Sequence, residues 1–121
     1  MDKTEVLRRA LWTSVVFNAG GALLFLFPGS LGQLADLPAA VPLVYRAPFA
    51  FLVALFGGTY AWLARQPTID RPLVAFCAIG KAGFFVVAFA CWLVGEASGR
   101  ATLAAGGDLL FAAIFAWWLL G

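Results

Sequence analysis

The chain has 121 residues, 64% of them apolar and 12% charged, against about 45–50% apolar and about 25% charged in an ordinary soluble domain. Its net charge of +2 comes from eight Lys/Arg and six Asp/Glu set singly or in pairs, which excludes the basic tract that a nucleic-acid surface requires. Histidine is absent and the only methionine is Met1, so the usual ligands for zinc and for haem are missing and no metal or cofactor is expected.

With a mean hydropathy of +0.95 and about 20 residues per spanning helix, the sequence predicts a single all-α domain over 1–121, an integral membrane four-helix bundle. The expected spans are 7–27, 46–64, 73–94 and 101–121. Residues 1–9 open the first helix. Asp2 followed by Glu5 has capping-box spacing, and Lys3, Arg8 and Arg9 precede the apolar run. That run exceeds the 7–15 residues of a signal-peptide core and no Ala-x-Ala site follows promptly, so it reads as a retained span. Pro28-Gly29 ends it.

Residues 28–44 form the longest connection. Leu31, Leu34 and Ala35 fall near helical spacing while Gln33 and Asp36 point elsewhere, which predicts a short interfacial helix ended by Pro38 and Pro42. The second span begins near Arg46–Pro48 and ends near Ala64-Arg65. Pro67 and Pro72 bracket a polar loop in which Asp70 is a candidate cap for the third helix. Within the third span Cys77 and Cys91 lie about 21 Å apart, too far for a disulfide along one helix, and they read as buried thiols. Gly95–Arg100 makes the last turn.

Four spans put both termini on one side. That side carries Lys3, Arg8, Arg9, Arg65 and Arg71, the other only Arg46 and Arg100, so both termini are expected in the cytoplasm, the membrane being a bacterial inner (plasma) membrane. Trp12, Trp62, Trp117 and Trp118 fall toward the inner boundary, and Tyr45 and Trp92 toward the outer one, as interfacial aromatics do. Arg46 and Glu96 are expected to anchor the outer boundary.

The chemistry lies at membrane depth. Counting about 1.5 Å per residue from the inner boundary, Thr59 and Tyr60 lie roughly 8–10 Å deep, Lys81 roughly 12 Å, Asn18 roughly 17 Å and Asp108 roughly 20 Å. Lipid offers these groups no partner, so they are expected to face one another inside the bundle. Phe84 and Phe85 follow Lys81 by one turn and are candidates to wall the site or stack on the cation. Three roles stand open for Lys81: pairing with Asp108 against an axial offset of about 8 Å, serving a ligand or ion site, or reaching back to the interface.

In size and four-span layout the chain resembles the small bacterial membrane proteins that include the DoxX-like families and the small multidrug-resistance exporters. The exporters carry a carboxylate in their first span, where this chain has Asn18, its own intramembrane acid being Asp108. It is similar in length to the fluoride channels, but Gly20-Gly21-Ala22 is followed by Leu-Leu-Phe without the arginine of that motif. The DoxX-like layout therefore implies only a compact four-span bundle.

Two functions follow as expectations. One is a homo-oligomer, dimeric or trimeric through glycine pairs such as Gly57-Gly58 and Gly106-Gly107, that binds or transports a small molecule or ion at Lys81, Asp108, Asn18, Tyr60 and Thr59. The other is a structural or accessory subunit of a membrane complex in which these groups only set helix register. No nucleophile stands beside an evident base, so catalysis is not expected.

Overall fold

The computed structural model describes residues 1–121 and is built from four long helices, α1 (Lys3–Leu26), α2 (Leu43–Arg65), α3 (Arg71–Leu93) and α4 (Gly99–Leu120), with a 3-10 helix (Leu31–Ala35) between the first two. At 22 to 24 residues each is about 33–36 Å long, enough to cross a hydrocarbon layer of about 30 Å. All four are also apolar enough to do so. The protein is thus an all-α, multi-pass membrane four-helix bundle.

Local chemistry sets the helix ends. Asp2 Oδ1 accepts from Glu5 N at 2.8 Å and Asp70 Oδ1 from Leu73 N at 3.0 Å, as their cap positions predict. Ser98 caps α4 through Ala101 N, so that helix starts two residues earlier than expected. α3 ends in a Schellman turn: Glu96 N donates to Cys91 O and Gly95 N to Trp92 O, with Gly95 at φ 82, a left-handed conformation that favours a residue without a Cβ. The predicted interfacial helix between α1 and α2 is a five-residue 3-10 segment. Leu31 and Leu34 are exposed on it and Ala35 is buried.

Gly32 in that segment answers to crowding. A Cβ there would lie 2.8 Å from Leu24 O and 3.4 Å from Phe27 O, and a backbone carbonyl cannot swing aside. Gly32→Ala is accordingly expected to cost about 1–3 kcal/mol, read as a lower midpoint of thermal unfolding in detergent micelles. An unchanged midpoint would mean that the 3-10 segment is not held against the end of α1.

α1 packs on α2 and α3 on α4 along much of their length, α1 meets α4 more lightly, and α2 touches α3 least. The apolar core, including Leu7, Leu11, Leu63, Val74, Cys77 and Phe115, gathers in the half of the bundle that holds the chain termini. Here Lys3 Nζ donates to Trp117 O at 2.9 Å and sits 4.4 Å over that ring, while Trp118 Nε1 donates to Thr4 Oγ1 at 3.3 Å. Arg71 donates to Leu119 O and lies 5.0 Å over Trp118. Toward the other end the α2–α3 seam is loose. Large apolar side chains such as Val16, Ile79, Leu103 and Leu110 cover the outside, as a surface against lipid requires.

Candidate functional site

The site is built from the middle of every helix. Lys81 of α3, 2% exposed, donates to Asp108 Oδ1 of α4 at 2.8 Å and to Asn18 Oδ1 of α1 at 3.1 Å. The Asn18 amide in turn donates to Val53 O of α2 at 3.0 Å. Gly57 permits that last contact: a Cβ at Gly57 would lie 3.3 Å from Asn18 Cβ, so the bare position lets α1 come close to the α2 backbone. Three rings surround the ammonium, Phe17 at 5.1 Å, Tyr60 at 4.9 Å and Phe111 at 5.1 Å. Opposite charge, an amide oxygen and ring faces together offset the roughly 2.5–3.5 kcal/mol that a lysine costs at membrane depth.

The offset of about 8 Å expected between Lys81 and Asp108 is not found. α3 begins at Arg71 rather than Leu73, which puts Lys81 ten residues, or about 15 Å, above its end. Asp108 is twelve residues, or about 18 Å, above Leu120. With those two ends locked together through Arg71 and Leu119, the remaining difference of about 3 Å lies within reach of a lysine side chain.

A cavity of about 230 Å³ opens beside this cluster. Asn18, Tyr60, Lys81 and Asp108 form its polar floor, and Phe25, Phe49, Leu52, Phe56 and Phe84 supply its walls. Its mouth is the seam between α2 and α3, where Phe49 is 37% and Leu52 50% exposed toward the lipid. Phe49 and Phe84 stack across the seam at 6.1 Å, and Phe25 meets Phe49 edge-on at 4.6 Å.

Two polar atoms of the floor have no partner in the chain. Asp108 accepts only through Oδ1, leaving Oδ2 free, and the Tyr60 hydroxyl makes no hydrogen bond although the residue is 1% exposed. The one fully enclosed unpartnered side-chain atom in the protein is Arg46 Nε. Asp108 Oδ2 and Tyr60 Oη therefore keep the little surface they have, and both residues line the cavity.

Not every candidate converges. Thr59 is half-buried and donates to Leu55 O of its own helix at 3.1 Å, outside the cavity. Phe84 forms part of the wall, but Phe85 stacks on Phe89 at 6.1 Å and lines no part of it. Neither touches the cation, whose rings come from α1, α2 and α4. Phe17 and Phe111 were not among the expected residues, although Phe111 stands one turn from Asp108 and Phe17 beside Asn18. Arg46 donates to Val41 O at 3.0 Å, and Glu96 is exposed on the loop before α4. Of the glycine pairs, Gly57 and Gly107 face inward, against Asn18 and Phe17, while Gly58 and Gly106 have open space beside them.

No group of three or more His, Cys, Asp or Glu side chains comes together. No family model, curated protein or solved structure matches the chain.

Proposed function

We propose that this membrane protein binds a small lipid-soluble molecule in the cleft between α2 and α3. The observation that carries this reading is the 230 Å³ cavity, which opens sideways in the apolar zone and ends on a buried ion pair. A cavity of about 150 Å³ lined by apolar side chains already holds a benzene ring. A molecule dissolved in the bilayer would enter through the seam, lay its apolar body against Phe25, Phe49 and Phe84, and bring one polar group to the floor. Carriage across the membrane would require in addition a path from the floor to either face. Assembly as a dimer or trimer, through open helix surfaces such as those at Gly58 and Gly106, belongs to the same proposal. So does the orientation with both termini in the cytoplasm, which rests on the five-to-two bias of Lys and Arg at the two boundaries.

Gly21→Leu tests the cleft directly. Gly21 lines the cavity, and a Cβ there would lie 3.7 Å from Val53 Cγ1, an ordinary contact, so the larger side chain fills the space without a clash at its base. With a one-ring probe that carries a polar atom, such as anisole, titrated into protein-loaded nanodiscs against empty ones, the variant is expected to bind at least about tenfold more weakly with an unchanged unfolding midpoint. Equal binding by both proteins, or none by either, would defeat the proposal.

A second reading has its own observation. The Lys81–Asp108–Asn18 cluster is closed by direct contacts, as a purely structural lock between helices would be, and an accessory subunit needs nothing more from it. Lys81→Met together with Asp108→Leu separates the two.

A further inference from the structure

The chemistry of the floor narrows the ligand, given that the cleft is a binding site as proposed above. We infer that it selects a neutral, one-ring compound bearing a hydroxyl, of the phenol type, whose O–H donates to Asp108 Oδ2 and whose oxygen accepts from the Tyr60 hydroxyl.

Charge balance excludes the other classes. Asp108 is already neutralised by Lys81 at 2.8 Å. A cationic ligand at Asp108 Oδ2 would bring a second positive charge close to that ammonium with no second carboxylate to offset it, and in a medium of low dielectric such repulsion is large. An anion fares no better. Two of the Lys81 donors are taken by Asn18 and Asp108, the ammonium is walled by three rings, and the acidic residue that shares the cavity lining with it is a carboxylate that repels an anion. A hydrocarbon would fit the walls but leave Asp108 Oδ2 and Tyr60 Oη unpaired, and burying polar groups without a partner is unfavourable. A neutral hydroxyl satisfies both atoms without adding charge.

Size and shape agree with a ring. The walls offer a stacked pair, Phe49 and Phe84, with the edge of Phe25 against both, its centroid 4.6 Å and 6.1 Å from theirs. Flat aromatic bodies pack well among such rings, stacked or edge-on. Any alkyl substituent would trail out through the mouth beside Leu52 into lipid.

The test compares four probes of nearly the same size, para-ethylphenol, para-ethylanisole, para-ethylbenzylamine and para-ethylbenzoate, titrated into the full chain in nanodiscs against empty ones. Para-ethylphenol is expected to bind about tenfold or more tightly than its methyl ether, because a hydrogen bond to a charged acceptor is lost in the ether, and the two charged probes are expected to bind more weakly still. Tyr60→Phe keeps the ring over Lys81 and removes a hydroxyl that bonds nothing in the chain. It is expected to weaken para-ethylphenol about fivefold, to weaken para-ethylanisole as well, since the ether oxygen also accepts from that hydroxyl, and to leave the unfolding midpoint unchanged. Equal affinity for phenol and ether, or preference for either charged probe, overturns the inference while leaving a ligand cleft in place. Binding of none of the four overturns both the inference and the cleft.

Discussion

Asp108→Leu alone is expected to destabilise the protein by about 3–5 kcal/mol, the range found when one partner of a buried ion pair is removed. The substitution leaves Lys81 almost wholly buried, with its strongest contact gone and only Asn18 Oδ1 and three ring faces remaining. Adding Lys81→Met to Asp108→Leu is expected to restore most of that loss, because a well-packed apolar pair needs no desolvation of charge. Recovery stays incomplete: Asn18 keeps its bond to Val53 O but loses the partner of its own oxygen, at about 1–3 kcal/mol for an unsatisfied group. Unfolding in mixed micelles measures all three proteins. A single substitution as stable as the parent would mean that the pair is open in the membrane. The double variant also separates the two functional readings: if it folds and still supports the protein's role, the cluster is a lock, whereas loss of ring-compound binding at preserved stability assigns it to the ligand.

The second large effect lies at the end of the bundle that holds the termini. Arg8 reaches from α1 to the end of α2 and donates to Ala64 O at 2.7 Å, Gln66 O at 2.6 Å and Pro67 O at 3.0 Å. Carbonyls at a helix C-terminus have no partner within the helix and carry partial negative charge, so a guanidinium there satisfies and neutralises them at once. Arg8→Met keeps most of the apolar stem and removes all three bonds. The expected cost is about 2–3 kcal/mol, since bonds to a charged donor are worth about 1.5–3 kcal/mol each but part of this site is exposed and water replaces some of the loss. Amide hydrogen exchange should rise first in the last turn of α2. Arg8→Lys should recover only part of the effect, because an ammonium lacks the planar fork that meets several carbonyls together. Protection unchanged in Arg8→Met would show that the last turn of α2 holds itself.

Arg8 also shows how a residue can be read correctly and incompletely. Its charge counts in the boundary bias that orients a membrane protein, and that much follows from position in the chain. That it closes the end of another helix depends on α1 and α2 packing side by side. Lys3 and Arg71 follow the same pattern, each found on a carbonyl of the last turn of α4.

The mid-membrane cluster divides similarly. Lys81, Asp108 and Asn18 stand out because each is costly in hydrocarbon and each must find a partner there. Their direct contact was obscured by an error of two residues at the start of α3, since about 1.5 Å per residue separates an ion pair from a gap of one helical turn. The aromatic residues divide for a different reason: Phe84 lines the cavity while Phe85 does not, and neither ring meets the cation. Both stand one turn from Lys81 along α3, yet a ring near in sequence need not be near in space. The rings that meet the ammonium, from Phe17, Tyr60 and Phe111, arrive from three other helices.

By itself, the sequence determined the class of protein, the number of spans, the caps at Asp2 and Asp70, and the identity of the groups that could not face lipid. These follow from local chemistry, because helix length, capping and the cost of burying a charge depend only on residues and their spacing. Only the tertiary structure decided which glycines face inward, that α2 and α3 touch least, and that Asp108 and Tyr60, each with an unpaired polar atom, line one cavity. In a bilayer the outside of a helix is as apolar as its packed face, so the apolar pattern that separates inside from outside in water carries little information here. The faces are chosen by close approaches such as Gly57 to Asn18 and by the ties at the helix ends, contacts between segments far apart in the chain.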